Sequence, residues 1–185
     1  MKIVINIFGS PCAGKTTLAK KLHERFIKDK KPVSLVSEFA TFLIAQNRAH
    51  LLQDQIFVTN GQKQLLEDGL INNDIAITDS PIELGLIYSK EDCKEKVQKI
   101  IDECNRGYES VNFFIKRPKN LKYSQSGRIH TDEQSKAIEM ELLAKFRDKN
   151  FTFISQETDL KEIMSKINHE IYEIKRTKNV MEIHL

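Results

Sequence analysis

Between an apolar run, residues 2–8, and a stretch with a four-residue apolar repeat, the chain carries Gly9-Ser10-Pro11-Cys12-Ala13-Gly14-Lys15-Thr16. This segment fits G-x-x-x-x-G-K-[ST], and its setting decides its meaning, because a loop that wraps a phosphate needs a strand before it and a helix after it. The β-branched run ending at Gly9 reads as a central strand buried on both faces. From Lys15 to about Lys28, Leu18, Leu22 and Phe26 recur along one helical face. A loop so placed aims backbone N–H groups at an anion, and the following helix adds the positive end of its dipole. Gly9, Ser10, Pro11, Cys12, Ala13, Gly14, Lys15, Thr16 and Thr17 are therefore the expected nucleotide-binding set. Lys15 supplies a point charge to the β- and γ-phosphates. Thr16 offers a hydroxyl to Mg2+, which takes few protein ligands because it keeps waters and phosphate oxygens. ATP with Mg2+ is the expected cofactor pair.

The rest of the chain supports an α/β reading. Lys30-Lys31-Pro32 ends the first helix, and Val33 to Val36 is a short strand closing on Ser37-Glu38. Residues 39–72 read as two helical pieces, with Gly61 and Gly69 as weak points in the second. Asp74 to Thr78 is a third strand, stopped by Asp79-Ser80-Pro81, and two shorter helices follow. Val111 to Ile115 is a fourth strand, Asp132 to Arg147 a helix, and Phe151 to Ile154 a fifth strand. Leu160, Ile163, Ile167, Ile171 and Ile174 mark a closing helix, whose stripe reads as core packing or as a homodimer seam. Strands separated by helices demand crossovers, hence a five-stranded parallel sheet with helices on both faces. The expectation is one domain over 1–175 with a lid loop at about 116–131, and a polar, mobile tail over 176–185. The second strand is expected beside the first.

Composition excludes more than it selects. At 185 residues, 40% hydrophobic, with 7 Gly and 4 Pro, the chain is too apolar and regular for disorder or a collagenous fibre. A net charge of +3 does not by itself require nucleic acid as a partner. Cys12, Cys93 and Cys104 fit neither a disulfide framework nor a zinc site, and the five His show no metal spacing. The first apolar stretch is too short to span a bilayer and leads into no cleavage pattern. A soluble cytoplasmic protein without a membrane partner is expected.

In open parallel sheets ligands sit at the carboxyl ends of the strands, so those ends hold the candidates. Asp79 closes the third strand, where it suits a direct or water-mediated Mg2+ partner; capping the helix near Pro81 is the plainer alternative. Glu38 ends the second strand, where a carboxylate takes the proton from an acceptor hydroxyl or complements a helix N-terminus. Residues 116–131 hold Lys116, Arg117, Lys119, Lys122 and Arg128 and no acid, so this loop carries +5 and the remaining residues sum to −2. Arg117 or Arg128 would neutralise charge on the transferring phosphoryl group as the loop closes, Gly127 serving as pivot. A merely solvated basic loop is the alternative. Cys12, a small residue, is expected to turn its side chain away from the phosphates; the alternative, from its place at a helix N-terminus, is a thiol that ATP shields from alkylation.

With the phosphate loop, Glu38, Asp79 and the basic loop in place, the chain resembles the small P-loop kinases. The resemblance is especially to the ATPase/kinase family of the type found in the ribosylnicotinamide kinase part of bacterial NadR, a family related to deoxynucleoside and nucleotide kinases and whose single-domain relatives are frequent in phage genomes. It rests on Ile7-Phe8-Gly9 through Thr17, Val36-Ser37-Glu38-Phe39-Ala40, the helix from Asp54-Gln55 to Gln62, Ile77-Thr78-Asp79-Ser80-Pro81, Phe113-Phe114-Ile115 and Gly127-Arg128. The resemblance implies Glu38 as base or substrate ligand, Asp79 with Mg2+, and Arg128 and Arg117 as lid arginines. Two departures stand out: Cys12 occupies a position where glycine is usual, and no Arg closely follows Glu38.

The activity expected is an ATP-dependent phosphotransferase acting on a hydroxyl or phosphate of a nucleoside, nucleotide or ribosylnicotinamide-like small molecule. A kinase acting on DNA or RNA, at a polynucleotide end or on a hydroxymethylated base, is the alternative within enzymes. A nucleotide-gated binding protein or weak ATPase is the alternative outside them.

Overall fold

The computed structural model describes residues 1–117 and 131–183. Five strands, β1 (Ile3–Phe8), β2 (Val33–Val36), β3 (Ile75–Thr78), β4 (Glu109–Lys116) and β5 (Thr152–Ser155), form one parallel sheet in the order β2-β3-β1-β4-β5. Between them run α1 (Lys15–Lys28), α2 (Phe39–Ala45), α3 (Gln55–Ile71), α4 (Gly85–Tyr88), α5 (Lys94–Asn105) and α6 (Asp132–Lys145), and α7 (Leu160–Ile183) follows β5. Short 3-10 turns at Ala49–Gln53 and Ile82–Leu84 complete the path.

All six residues of β1 are buried, because the strand is paired on both edges and covered on both faces. Ile3, Ile5 and Ile7 meet Leu18, Leu22 and Phe26 of α1 and Ile163, Met164 and Ile167 of α7. On the opposite face Val4 joins Leu66 and Leu70 of α3 and Val97 and Ile101 of α5. Strict alternation of side chains across a strand makes both halves of this apolar run necessary. The one polar residue, Asn6, lies opposite Asn112 of β4 and donates to its Oδ1 at 3.1 Å. Phe8 closes the strand inside an aromatic group with Phe146 and Phe151, at centroid separations of 5.7 and 5.0 Å. That group seats the end of α6 and β5 against the sheet.

Three expectations need correction. The second strand is not beside the first, for β3 lies between them. The exposure pattern gives the reason: β3 buries Ala76, Ile77 and Thr78, whereas β2 leaves Ser34 and Leu35 half-exposed, as a short edge strand does. Gly61 and Gly69 do not interrupt α3, which runs unbroken through both. They are contact points instead: a Cβ on Gly61 would lie 2.2 Å from the Phe39 ring, and one on Gly69 would lie 2.8 Å from Ser34 Oγ and Val36 Cγ2. Lastly, α7 continues past Lys175 to Ile183, and Lys178 pairs with Glu109 at the start of β4 at 2.6 Å. Its apolar stripe is core packing, since Ile163 and Ile167 are buried and Leu160, Ile171 and Ile174 pack against the same cluster.

Gly61→Ala tests the contact. Alanine is better than glycine in a helix by about 1 kcal/mol, but overpacking against a ring costs about 1–3 kcal/mol. The variant is expected to lose on the order of 1 kcal/mol net, read as a lower urea midpoint at unchanged slope.

Candidate active site

The chain leaves β1 at Gly9, whose φ of 146° and lack of room are both specific to glycine: a Cβ would meet Ile115 O of β4 at 2.9 Å. Gly14 is also left-handed, with φ 93°. Cys12, where glycine is usual, adopts φ 72° all the same, so the loop holds a side chain in a conformation that glycine takes freely. Ala13 N–H donates to Ser10 O at 3.2 Å and tightens the turn. Gly14 is the N-cap of α1, with no capping side chain, and the first helical turn holds no acid. The positive helix end therefore meets no carboxylate of its own helix.

Lys15 folds back over the loop and donates to Gly9 O at 2.9 Å and Ser10 O at 3.0 Å. Burial pushes its ammonium below the ordinary lysine range, against the opposing pull of Glu38 and then Asp79. Thr16 Oγ1 donates to Asp79 Oδ2. Asp79 is thus engaged with the loop and is not a helix cap; the 3-10 turn at Ile82–Leu84 begins from Pro81 with no side-chain cap at all. A hydroxyl and a carboxylate side by side form a hard oxygen donor set, which fits Mg2+. Among the described residues no group of three or more His, Cys, Asp or Glu is placed to hold a metal, and Mg2+ bound through phosphate oxygens needs none. The same residues that would hold that ion and the triphosphate are Thr16, Asp79, Lys15 and the loop amides.

Glu38 is exposed at the end of β2, where it is the N-cap residue of α2, and its Oε2 accepts from Thr41 Oγ1 at 2.6 Å. Although β3 intervenes, its carboxylate, like that of Asp79, draws the Lys15 ammonium back upward. Tyr88, at the end of α4, reaches the same field: desolvation first, then the Glu38 and Glu141 carboxylates, raise its phenol above the ordinary value. Beside Glu38, Phe39 stacks with Phe42 at 5.9 Å and meets Phe57 edge-on at 5.7 Å. Phe42 is 50% exposed and Phe57 38%, so an aromatic surface lies open next to the carboxylate.

At the other flank, Arg117 follows β4 directly and is half-buried, while Lys116 Nζ sits 4.8 Å over the Phe153 ring. Arg128, Lys119, Lys122 and Gly127 lie outside the described residues. Two contacts to the loop are absent from the sequence reading. Glu139 of α6 accepts from the buried Ser10 Oγ at 2.9 Å, and Gln156, just after β5, donates to Cys12 O at 3.3 Å. The strand-end rule points to Gln156; Glu139, in mid-helix, carries no local signal.

A parallel sheet in this order, with a glycine-bounded loop leading into α1 and an acid from the adjacent strand on its threonine, defines a P-loop NTPase of kinase-like fold. An AAA domain family model matches residues 4–162, and the chain belongs to that family. Among solved structures it is similar to thymidylate kinase from Ehrlichia chaffeensis, with a TM-score of 0.54 at 15% identity, over 95% of this chain and 98% of that one. No curated protein matches the sequence. Among the described residues no helix is long and apolar enough to cross a membrane.

Two measurements test the loop. Lys15→Met is expected to weaken nucleotide binding at least tenfold by titration with fluorescent ATP, on the order of 1.4 kcal/mol, while melting no lower than wild type at neutral pH, because a desolvated charge is gone. In the wild type the penalty is present below the lowered Lys15 pKa and disappears as pH rises towards the ordinary lysine value, so the variant's relative stability should decline over that window. For Cys12, which is half-buried, ATP with Mg2+ should slow alkylation, read by mass spectrometry of its peptide. Equal labelling with and without nucleotide would refute the contact.

Proposed function

We propose that the protein is a Mg2+-dependent ATP phosphotransferase acting on a nucleoside, a nucleotide or a related small molecule with a planar base. The observation that carries this reading is the separation of two carboxylates around one lysine. Asp79 is engaged with Thr16, on the metal side, whereas Glu38 acts on Lys15 from an exposed position one strand further out, beside open aromatic rings. A hydrolase or nucleotide switch needs the first carboxylate; a second one beside an aromatic surface suits an acceptor with a hydroxyl and a flat ring.

For a hydroxyl acceptor, the proton passes to the Glu38 carboxylate as the acceptor oxygen attacks the γ-phosphorus. The bond from that phosphorus to the β,γ-bridging oxygen breaks and ADP leaves. Lys15 and the loop amides stabilise charge on the phosphates. Bound Mg2+ would neutralise phosphate charge beside Thr16 and Asp79. Arg117, and Arg128 from the basic segment, are the proposed cations for the transferring group. A ribosylnicotinamide-like acceptor belongs to the same chemical class, and the cytoplasm is the proposed setting.

The test is a screen with γ-labelled ATP across nucleosides, nucleoside monophosphates, ribosylnicotinamide and oligonucleotides. Label is expected on a small acceptor, with a rate that changes little with salt; transfer to an oligonucleotide with a steep salt dependence would favour a nucleic-acid kinase instead. Glu38→Gln should lower kcat by about 100-fold or more with ATP affinity within twofold. ATP consumption that no acceptor accelerates, and that Glu38→Gln leaves unchanged, would refute the proposal.

A further inference from the structure

Gln62 lies in the middle of α3, a polar side chain only 6% exposed. Both ends of its amide are used on the two residues that flank Glu38. Its Oε1 accepts from Phe39 N–H at 2.8 Å and its Nε2 donates to Ser37 O at 3.3 Å. Phe39 N–H is the first donor of α2, which has no partner inside its own helix. The Glu38 side chain does not cap it, being engaged with Thr41. One amide therefore completes the backbone on each side of residue 38, as a neighbouring strand would, at the point where the sheet ends and the helix begins.

The preceding residue of α3 serves the same junction. Gly61 has the Phe39 ring where a Cβ would stand, 2.2 Å from Cε1. Gly61 admits the side chain of Phe39, and Gln62 holds its backbone. Among the described residues β2 is an edge strand of four residues paired only with β3, and none of them in the sheet fixes its carboxyl end from the outer side. The burial of Gln62 with both hydrogen-bonding ends engaged makes α3 that support.

We infer that Gln62 is the positioning residue for Glu38: it clamps the Ser37 and Phe39 peptides so that the carboxylate keeps a fixed place relative to Lys15. This rests on the phosphotransfer reading above for its effect on catalysis. Gln62 itself touches no reacting atom. A misplaced general base loses rate while the nucleotide site, built on β1 and β3, is unaffected.

The experiment is a double-mutant cycle of Gln62→Met and Glu38→Gln, with Gln62→Glu alongside. Methionine keeps the volume without the hydrogen bonds. Glutamate keeps the acceptor for Phe39 N–H and loses the donor to Ser37 O. Turnover is read as label leaving γ-labelled Mg2+-ATP in an equimolar mixture of nucleosides and nucleoside monophosphates, nucleotide affinity by fluorescent ATP, and local structure by hydrogen exchange of the Phe39 amide. Gln62→Met should lower kcat about 10- to 100-fold, leave nucleotide affinity within twofold, and speed Phe39 exchange at least tenfold. Gln62→Glu should fall between methionine and wild type. The double variant should be no slower than Glu38→Gln alone. Multiplying losses would overturn the inference, as would unchanged Phe39 exchange in Gln62→Met. If Glu38→Gln turns over like wild type, the phosphotransfer reading fails instead, and the exchange measurement still decides whether Gln62 holds the junction.

Discussion

The position of β1 governs everything built around it. It is hydrogen-bonded to both β3 and β4, and its two faces are the two halves of the core. The loop that begins where β1 ends therefore starts from a point fixed in all directions. β3 at one edge carries Asp79 to Thr16, and β4 at the other presses Ile115 O against Gly9. Preorganisation of this kind lets backbone amides and one ammonium act on a phosphate without first being gathered. The aromatic group of Phe8, Phe146 and Phe151 extends the effect to α6 and thereby brings Glu139 to Ser10.

Features set by local patterns are legible in the sequence. The strand, the glycine-bounded loop and the helix after it are written within one stretch of chain, and the place of Asp79 follows from its position after the short strand Ile75–Thr78. Strand order is different, since it depends on which neighbour buries more surface, and β2 and β3 are both short and apolar. Only the half-exposure of Ser34 and Leu35 in the folded molecule shows which of them is the edge. Gly61 and Gly69 mislead for a related reason. Their cost to a helix is local and visible, while the Phe39 ring and β2 side chains they accommodate arrive from elsewhere in the chain.

The site is thus layered outward from β1. Closest are the amides of the loop and Lys15, whose positive charge is balanced by carboxylates arriving from two other strands. Next is the Thr16 and Asp79 pair, whose oxygen chemistry matches a hard cation. Outermost is Glu38, on a strand with a single partner and a helix junction secured by one buried amide. The inner layers are held by the sheet itself, and the outer layer by side chains of α3. On the proposed phosphotransfer, substitutions in the helices after β2 would alter the acceptor side and leave the nucleotide end intact.

Cys12 has a further implication through its backbone. A φ of 72° at a residue with a Cβ costs about 1–2 kcal/mol relative to the ordinary helical region, so the curve of the loop is imposed by its surroundings, Gln156 on the Cys12 carbonyl among them. The Cα–Cβ bond therefore points in a direction that the residue cannot change by a small shift of its own backbone. A group attached to the sulfur of this half-buried residue would hang from a fixed Cα–Cβ axis and move only by rotation about side-chain bonds, which makes the thiol a defined point of attachment on the loop.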